Sequence, residues 1–194
     1  MIFWIIGIGI VLVVGMIFLF AVKGYNSLVI LKNRVDNQSA QVDVQLKRRA
    51  DLIPNMLETT KGYARYEKDT LKSITKLRTQ ILSAENIEAS YQASETLGKL
   101  TSRIIAVGEQ YPELKANTNF LQLQQELSET EDKISKARQF YNDTVTKYND
   151  AIMIFPNSIL ANLFGFHHIA LLETNAADKE AIKIDADTFC DLVL

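Results

Sequence analysis

The stretch FLQLQQELSETEDKISKARQFYNDTVTKYNDAIMIF, residues 120–155, sets its apolar side chains at alternating steps of three and four: Phe120, Leu123, Leu127, Ile134, Ala137, Tyr141, Val145, Tyr148, Ile152 and Phe155. That spacing puts them on one face of a helix on the order of ten turns long, the rhythm of a bundle helix with one side buried. Inside the stretch, Tyr141-Asn142 and Tyr148-Asn149 repeat one heptad apart, and Tyr25-Asn26 prints the pair a third time upstream. Two readings compete. The tyrosines and asparagines line a ligand pocket between helices, or the rings fill core volume while Asn142 and Asn149 hydrogen-bond to a facing helix and set its register.

Working outward, three further stripes share the rhythm. Leu28, Leu31, Val35, Val42 and Leu46 form one; Met56, Tyr63, Leu71, Ile74, Leu77 and Ile81 a second; Leu97, Leu100, Ile104, Val107 and Tyr111 a third. Sustained two-residue alternation is missing, which argues against a sheet. Breaks fall where four helices need them. Asp51 is suited to cap a helix whose first turn accepts Pro54, since an early proline gives up an N–H that has no intrahelical partner. Ser83-Ala84-Glu85-Asn86 and Tyr111-Pro112-Glu113 make the next corners, and Phe155-Pro156 ends the last helix. The expectation is an all-α chain: an N-terminal transmembrane helix (1–22), an antiparallel four-helix bundle (23–156) and a partly irregular C-terminal tail (157–194).

The opening 22 residues, MIFWIIGIGIVLVVGMIFLFAV, carry no charged side chain before Lys23 and as a helix measure about the 30 Å of a bilayer's hydrocarbon core. A cleaved signal peptide wants a basic start, a shorter apolar core and a small-x-small exit, none of which is present. An uncleaved anchor in the lipid bilayer is therefore expected. Lys23, Lys32 and Arg34 follow the span and no basic side chain precedes it, which by the positive-inside rule puts the remainder in the cytoplasm.

Composition excludes several function classes. The one cysteine, Cys190, rules out an intrachain disulfide and a cysteine-rich metal site, and His167-His168 alone make a poor zinc pair because successive helical residues point about 100° apart. Residues 23–80 hold 12 basic and 6 acidic side chains, whereas 81–194 hold 9 and 17. A basic half can meet nucleic acid or anionic lipid, but opposite charges packing against each other within one domain explain the division better, since no aromatic-interleaved basic stripe or nucleic-acid motif occurs. Glu126, Glu129, Glu131 and Asp132 lack the Glu-x-x-His of a bundle di-iron site, and no Gly-x-Ser-x-Gly elbow, phosphate-cradling glycine loop or His-Glu-x-x-His is present. No catalytic residue, metal ligand or cofactor is nominated.

Lys47-Arg48-Arg49 with Asp51 is the densest charged cluster. Arg48 and Arg49 either grip carboxylates or phosphates of a partner, or end the first helix at the negative pole of its dipole and pair with the acidic fourth helix. The candidate interaction or structural residues are thus Asn26, Arg48, Arg49, Asp51, Tyr141, Asn142, Tyr148 and Asn149.

The run QVDVQLKRRADLIPNMLETTKGYARYE (41–67) resembles the signature segment of the LemA family of bacterial membrane-anchored proteins. Tyr25-Asn26 with Leu28-Val29 and Asn33, the segment 111–152, Phe155-Pro156 and Phe164-Gly165-Phe166 extend the resemblance in order over residues 1–166. It implies one N-terminal span, an antiparallel four-helix bundle and no established catalysis. Members are often encoded beside HtpX-type membrane proteases or TPM-domain proteins, which implies a partner of that kind, and some relatives are lipoproteins exposed outside the membrane, which implies the opposite orientation. The expected function is a non-catalytic interaction or scaffold protein. The alternative is a ligand-sensing or adaptor module for a membrane protease or signalling partner, built on a polar inter-helix pocket.

Overall fold

The computed structural model describes residues 1–61 and 68–173. Among these every regular element is a helix: α1 (Ile2–Thr60), α2 (Lys68–Leu82), α3 (Ile87–Gly108), α4 (Pro112–Lys115), α5 (Thr118–Met153) and α6 (Asn157–Phe164). Tyr63, expected in the second stripe, and the tail from residue 174 lie outside the described residues.

Helix α1 has two halves of different chemistry. Residues 2–20 are exposed throughout, and the most apolar 18-residue stretch of α1 has a mean hydropathy of 3.1 with none of it buried. From Gly24 onward one stripe is buried: Leu28, Val35, Val42 and Met56 at heptad spacing, with Leu46, Ile53 and Thr60 one turn further round. Each fully buried aliphatic of this kind contributes roughly 1.5–3 kcal/mol.

The helix does not break at Asp51. It continues through Pro54 to Thr60, so the expected second helix start is corrected: the capping role given to Asp51 and the first-turn role given to Pro54 do not exist here. Pro54 removes the N–H that would bond Ala50, a cost of about 3 kcal/mol in a free helix. Leu52, Ile53, Met56 and Leu57 are buried around it, and their packing offsets that loss. The same correction removes the helix-end role of Lys47-Arg48-Arg49, which lie mid-helix.

Helix α5 runs antiparallel to α1. Arg49 of α1 pairs with Glu131 of α5, and Gly24, 25 residues earlier on α1, lies against Asn157, just beyond the C-terminal end of α5. Its buried column is Phe120, Leu127, Ile134, Tyr141 and Tyr148, at strict heptad spacing. Helix α3 packs on α1 and α2, and reaches α5 where Arg138 donates to the Tyr91 hydroxyl at 2.6 Å. Side-chain caps start α3 and α5: Asn86 accepts from Ala89 N at 2.9 Å, and Asn117 accepts from Asn119 N and Phe120 N at 2.9 and 3.2 Å. Pro112 opens the short α4. Tyr111 and Phe155, placed by periodicity on buried stripes, are exposed (39% and 75%). Each lies beyond its helix's last turn, where the helical period no longer sets direction.

After α5 the chain turns through a cis Phe155–Pro156 peptide into α6. Gly165 closes α6 with φ of 72°, a left-handed conformation natural to glycine. Residues 166–173, expected only as irregular tail, then run without regular secondary structure back along α5.

Candidate functional site: the tyrosine and asparagine ladder

The heptad column of α5 places Tyr141 and Tyr148 in the core, 3% and 1% exposed, with Asn142 and Asn149 one position round at its edge. What the asparagines face is not another helix. Asn149 donates from Nδ2 to the Ile169 carbonyl at 2.8 Å and accepts from the Ile169 N–H at 3.0 Å. Asn142 does the same to Leu172, donating to its carbonyl at 3.0 Å and accepting from its N–H at 2.9 Å. Each side-chain amide thus replaces the neighbouring strand that an extended backbone would otherwise need. The tyrosines add a second rail: the Tyr148 hydroxyl donates to the His167 carbonyl at 3.1 Å and that of Tyr141 to the Ala170 carbonyl at 3.5 Å.

The spacing explains why the motif repeats every seven residues. Seven helical residues rise about 10.5 Å, and three extended residues span about 10 Å. Moving from the Tyr148-Asn149 rung to the Tyr141-Asn142 rung therefore moves the contacts from His167 and Ile169 to Ala170 and Leu172 in register. Leu172 is buried (3% exposed) and Ile169 packs partly into the core, so the strap is held by apolar side chains as well as by backbone bonds.

Both tyrosines keep their protons to higher pH than usual. Burial raises Tyr141 above the ordinary 10.0, with Glu88 and then Asp36 adding to the rise. Burial likewise raises Tyr148, with a smaller push from Asp36. They act as neutral hydrogen-bond donors.

The helix-register expectation for Asn142 and Asn149 is thereby corrected, and the chain's own strap fills the place that the alternative reading gave to a ligand pocket beside Tyr141 and Tyr148. The pattern in 120–155 does not announce that partner. The signal lay downstream, in a run without Asp, Glu, Lys or Arg from Ala151 to Leu172 whose Ile169 and Leu172 stand three apart.

The remaining candidates separate. Asn26 is exposed on α1 and makes no hydrogen bond to the ladder, and its neighbour Tyr25 meets Phe164 and Phe166 edge-on at 4.8 and 5.9 Å. Arg48 is exposed. Asp51 accepts from Arg78 Nη2 of α2 at 3.1 Å, a solvent-exposed pair. Arg49 occupies the heptad position between Val42 and Met56, and its side chain is only 11% exposed. Its guanidinium bonds the Ser94 carbonyl and hydroxyl, both at 3.3 Å, and pairs with Glu131, joining α1, α3 and α5. Gly98 makes room for it, because a Cβ there would overlap Arg49 Nη2. Beside this junction, between α3 and α5, lies an open cleft of about 490 Å³ lined by Arg49, Gly98, Lys99, Thr101, Gln124 and Glu131 among others. Among the described residues no group of His, Cys, Asp and Glu is placed to hold a metal ion.

The chain is 27% identical to Protein LemA of Metamycoplasma hominis, covering 92% of this chain and 80% of that protein. It is 24% identical to magnetosome protein MamQ 2 of Paramagnetospirillum magneticum and 22% identical to magnetosome protein MamQ of Magnetospirillum gryphiswaldense, in each case over 81% of this chain and 68% of the relative. The profile of the LemA family matches residues 38–185, which take in the upper part of α1, the Arg49 junction, the ladder and the strap, and the chain belongs to the LemA family.

Proposed function

We propose that this protein is a membrane-anchored, non-catalytic scaffold: residues 1–22 cross the bilayer, and α1, α2, α3 and α5 form a four-helix bundle that presents a binding face to a membrane or peripheral protein. The observation that carries this reading is the continuity of α1, in which a charge-free exposed half passes without a break into a half buried by α3 and α5. A rigid rod shared by anchor and body fixes the body's distance from the bilayer, which suits a protein that positions a partner. Membership of the LemA family supports the membrane association. Lys23, Lys32 and Arg34 favour a cytoplasmic body. An HtpX-like protease or a TPM-domain protein is the partner class to test first.

The cleft beside Arg49 favours a second reading, an adaptor that senses a small polar ligand there. One experiment tests the scaffold reading. Photo-crosslinking residues are placed at Glu95 and Arg103 on α3 of the full chain in native membranes, and adducts are identified by mass. The scaffold reading expects a discrete protein adduct at one or both positions, whereas no adduct at either overturns it. Intact mass of the membrane-extracted protein checks the anchor, since a product starting near Lys23 contradicts it.

A further inference from the structure

Among the described residues the apolar surface around α6 has no partner. Phe155, Ile159 and Leu163 are 75%, 59% and 73% exposed, and Met153, Ile154 and Phe164 are each more than half exposed. Ile159 and Leu163 each stand two residues from the buried Ala161, about 200° round the helix, so they point away from the body that covers Ala161. No Asp, Glu, Lys or Arg interrupts the chain from Ala151 to Leu172.

The place of this surface is set by α1. Residues 2–22 measure about 31 Å as a helix, enough to fill the hydrocarbon core, which puts Val22 at its edge. Gly24, two residues on, is where α6 docks: a Cβ at Gly24 would meet Leu160 Cδ1 at 2.7 Å and Asn157 Oδ1 at 3.1 Å. At the other end of α6, Phe164 packs edge-on against Tyr25. From Asn157 to Phe164, α6 advances about 10.5 Å, while its contact point on α1 moves by one residue, about 1.5 Å. Helix α6 therefore crosses α1 steeply. Because α1 carries the span, α6 lies close to the plane of the bilayer and within a turn of its surface.

We infer that α6 is an interfacial foot: it rests in the headgroup layer of the same bilayer that residues 1–22 cross, with Phe155, Ile159 and Leu163 inserted among the lipids. This rests on the anchor reading above. A helix lying in the interface buries its apolar face about 5–10 Å deep, a depth these side chains can fill. The ladder has a part in this arrangement, since the strap it holds begins directly after Gly165 and pins the far end of α6. Two attachments, a spanning rod and a lateral foot, stop the body from tilting and rotating freely on its anchor.

The test uses the full chain in phosphatidylcholine and phosphatidylglycerol vesicles with brominated acyl chains. The wild type holds one tryptophan, Trp4, in the span, and its quenching by bromine reports the anchor. In a Trp4→Phe background, Leu163→Trp reports the foot and Val44→Trp, exposed on α1 well beyond the span, reports water. Because tryptophan itself favours interfaces, a nitroxide on Ile159→Cys in a Cys190→Ser background gives an independent depth. The foot requires the Leu163→Trp fluorescence to be blue-shifted, quenched by bromolipid and several-fold less accessible to acrylamide than that of Val44→Trp, with the nitroxide at headgroup depth. Acrylamide access equal to that of Val44→Trp, with Trp4 quenched by bromine, overturns the foot and leaves the anchor standing. Shielding from acrylamide without bromine quenching means that protein, such as a second copy, covers the face, and also overturns it. Trp4 untouched by bromine overturns the anchor, and the foot with it.

Discussion

At the residue scale, Arg49 is the position whose role changes most between sequence and structure. It lies on the buried stripe of α1, where an aliphatic would be expected, and is tolerated because Glu131 is half exposed and Gly98 supplies space. Partial exposure of the carboxylate keeps the pair's desolvation cost low, and the bonds to Ser94 use donors that Glu131 leaves free. Gly98→Ala is therefore expected to displace the guanidinium and cost about 1–2 kcal/mol, the loss of charge-assisted bonds less the better helix propensity of alanine. In an Arg49→Ala background the same change is expected to stabilise by up to about 1 kcal/mol, because only the propensity gain remains. A double-mutant cycle by denaturant titration in detergent micelles measures this coupling, and strict additivity would show that Gly98 does not serve Arg49. Arg48, exposed one position away, is expected to tolerate alanine with little change in stability.

At the element scale, the strap is held by side chains that imitate a strand. Asn149→Ala removes one donor and one acceptor and leaves the Ile169 N–H and carbonyl to find water, an expected loss of about 1–3 kcal/mol. The effect is local, so amide exchange at Ile169 and Leu172 should rise while that of Leu46 and Ile134 in the core stays slow. Unchanged exchange at Ile169 would mean that its apolar packing, not the amide ladder, secures the strap. The long α1 carries the other lesson at this scale. Asp51 and Pro54 form a sound helix-start signal, yet a local signal worth a few kcal/mol yields when four apolar side chains around it are buried by continuing the helix.

At the scale of the whole molecule, the buried tyrosines link stability to pH. Tyr141 and Tyr148 both have folded pKa values above 10.0, so the folded state holds protons that the unfolded chain releases. Below about pH 10 both states are protonated and these groups contribute no pH dependence. As pH rises past the unfolded value the unfolded chain ionises first, so stability falls from there up through the folded pKa values. Denaturant melts between about pH 9 and 11 should show that decline, and Tyr141→Phe with Tyr148→Phe should flatten it while lowering stability at pH 7 by roughly 1–3 kcal/mol for the two lost hydroxyl bonds. A decline as steep in the double variant as in the wild type would assign the alkaline loss to other groups.

The all-helical class, the apolar N-terminal segment, the corners near Ser83, Tyr111 and Phe155 and most of the buried stripes were legible in the sequence alone. Periodicity and capping chemistry act over a few residues, and the chain displays them directly: Leu28, Val35 and Val42 announce their face wherever the helix packs. Family membership was legible for a related reason, since its motifs lie in order along one chain. What only the tertiary structure decided are the pairings between distant residues. Nothing near Asn142 and Asn149 says that their amides close on Leu172 and Ile169, 30 and 20 residues on. Nor does Gly98 announce Arg49, 49 residues before it. A side-chain amide bonds equally well to a helix, a ligand or a strap, and which one it meets depends on how the chain returns after α6. That return is set by the docking of α6 at Gly24 and by the burial of Leu172, contacts that exist only once the body is packed.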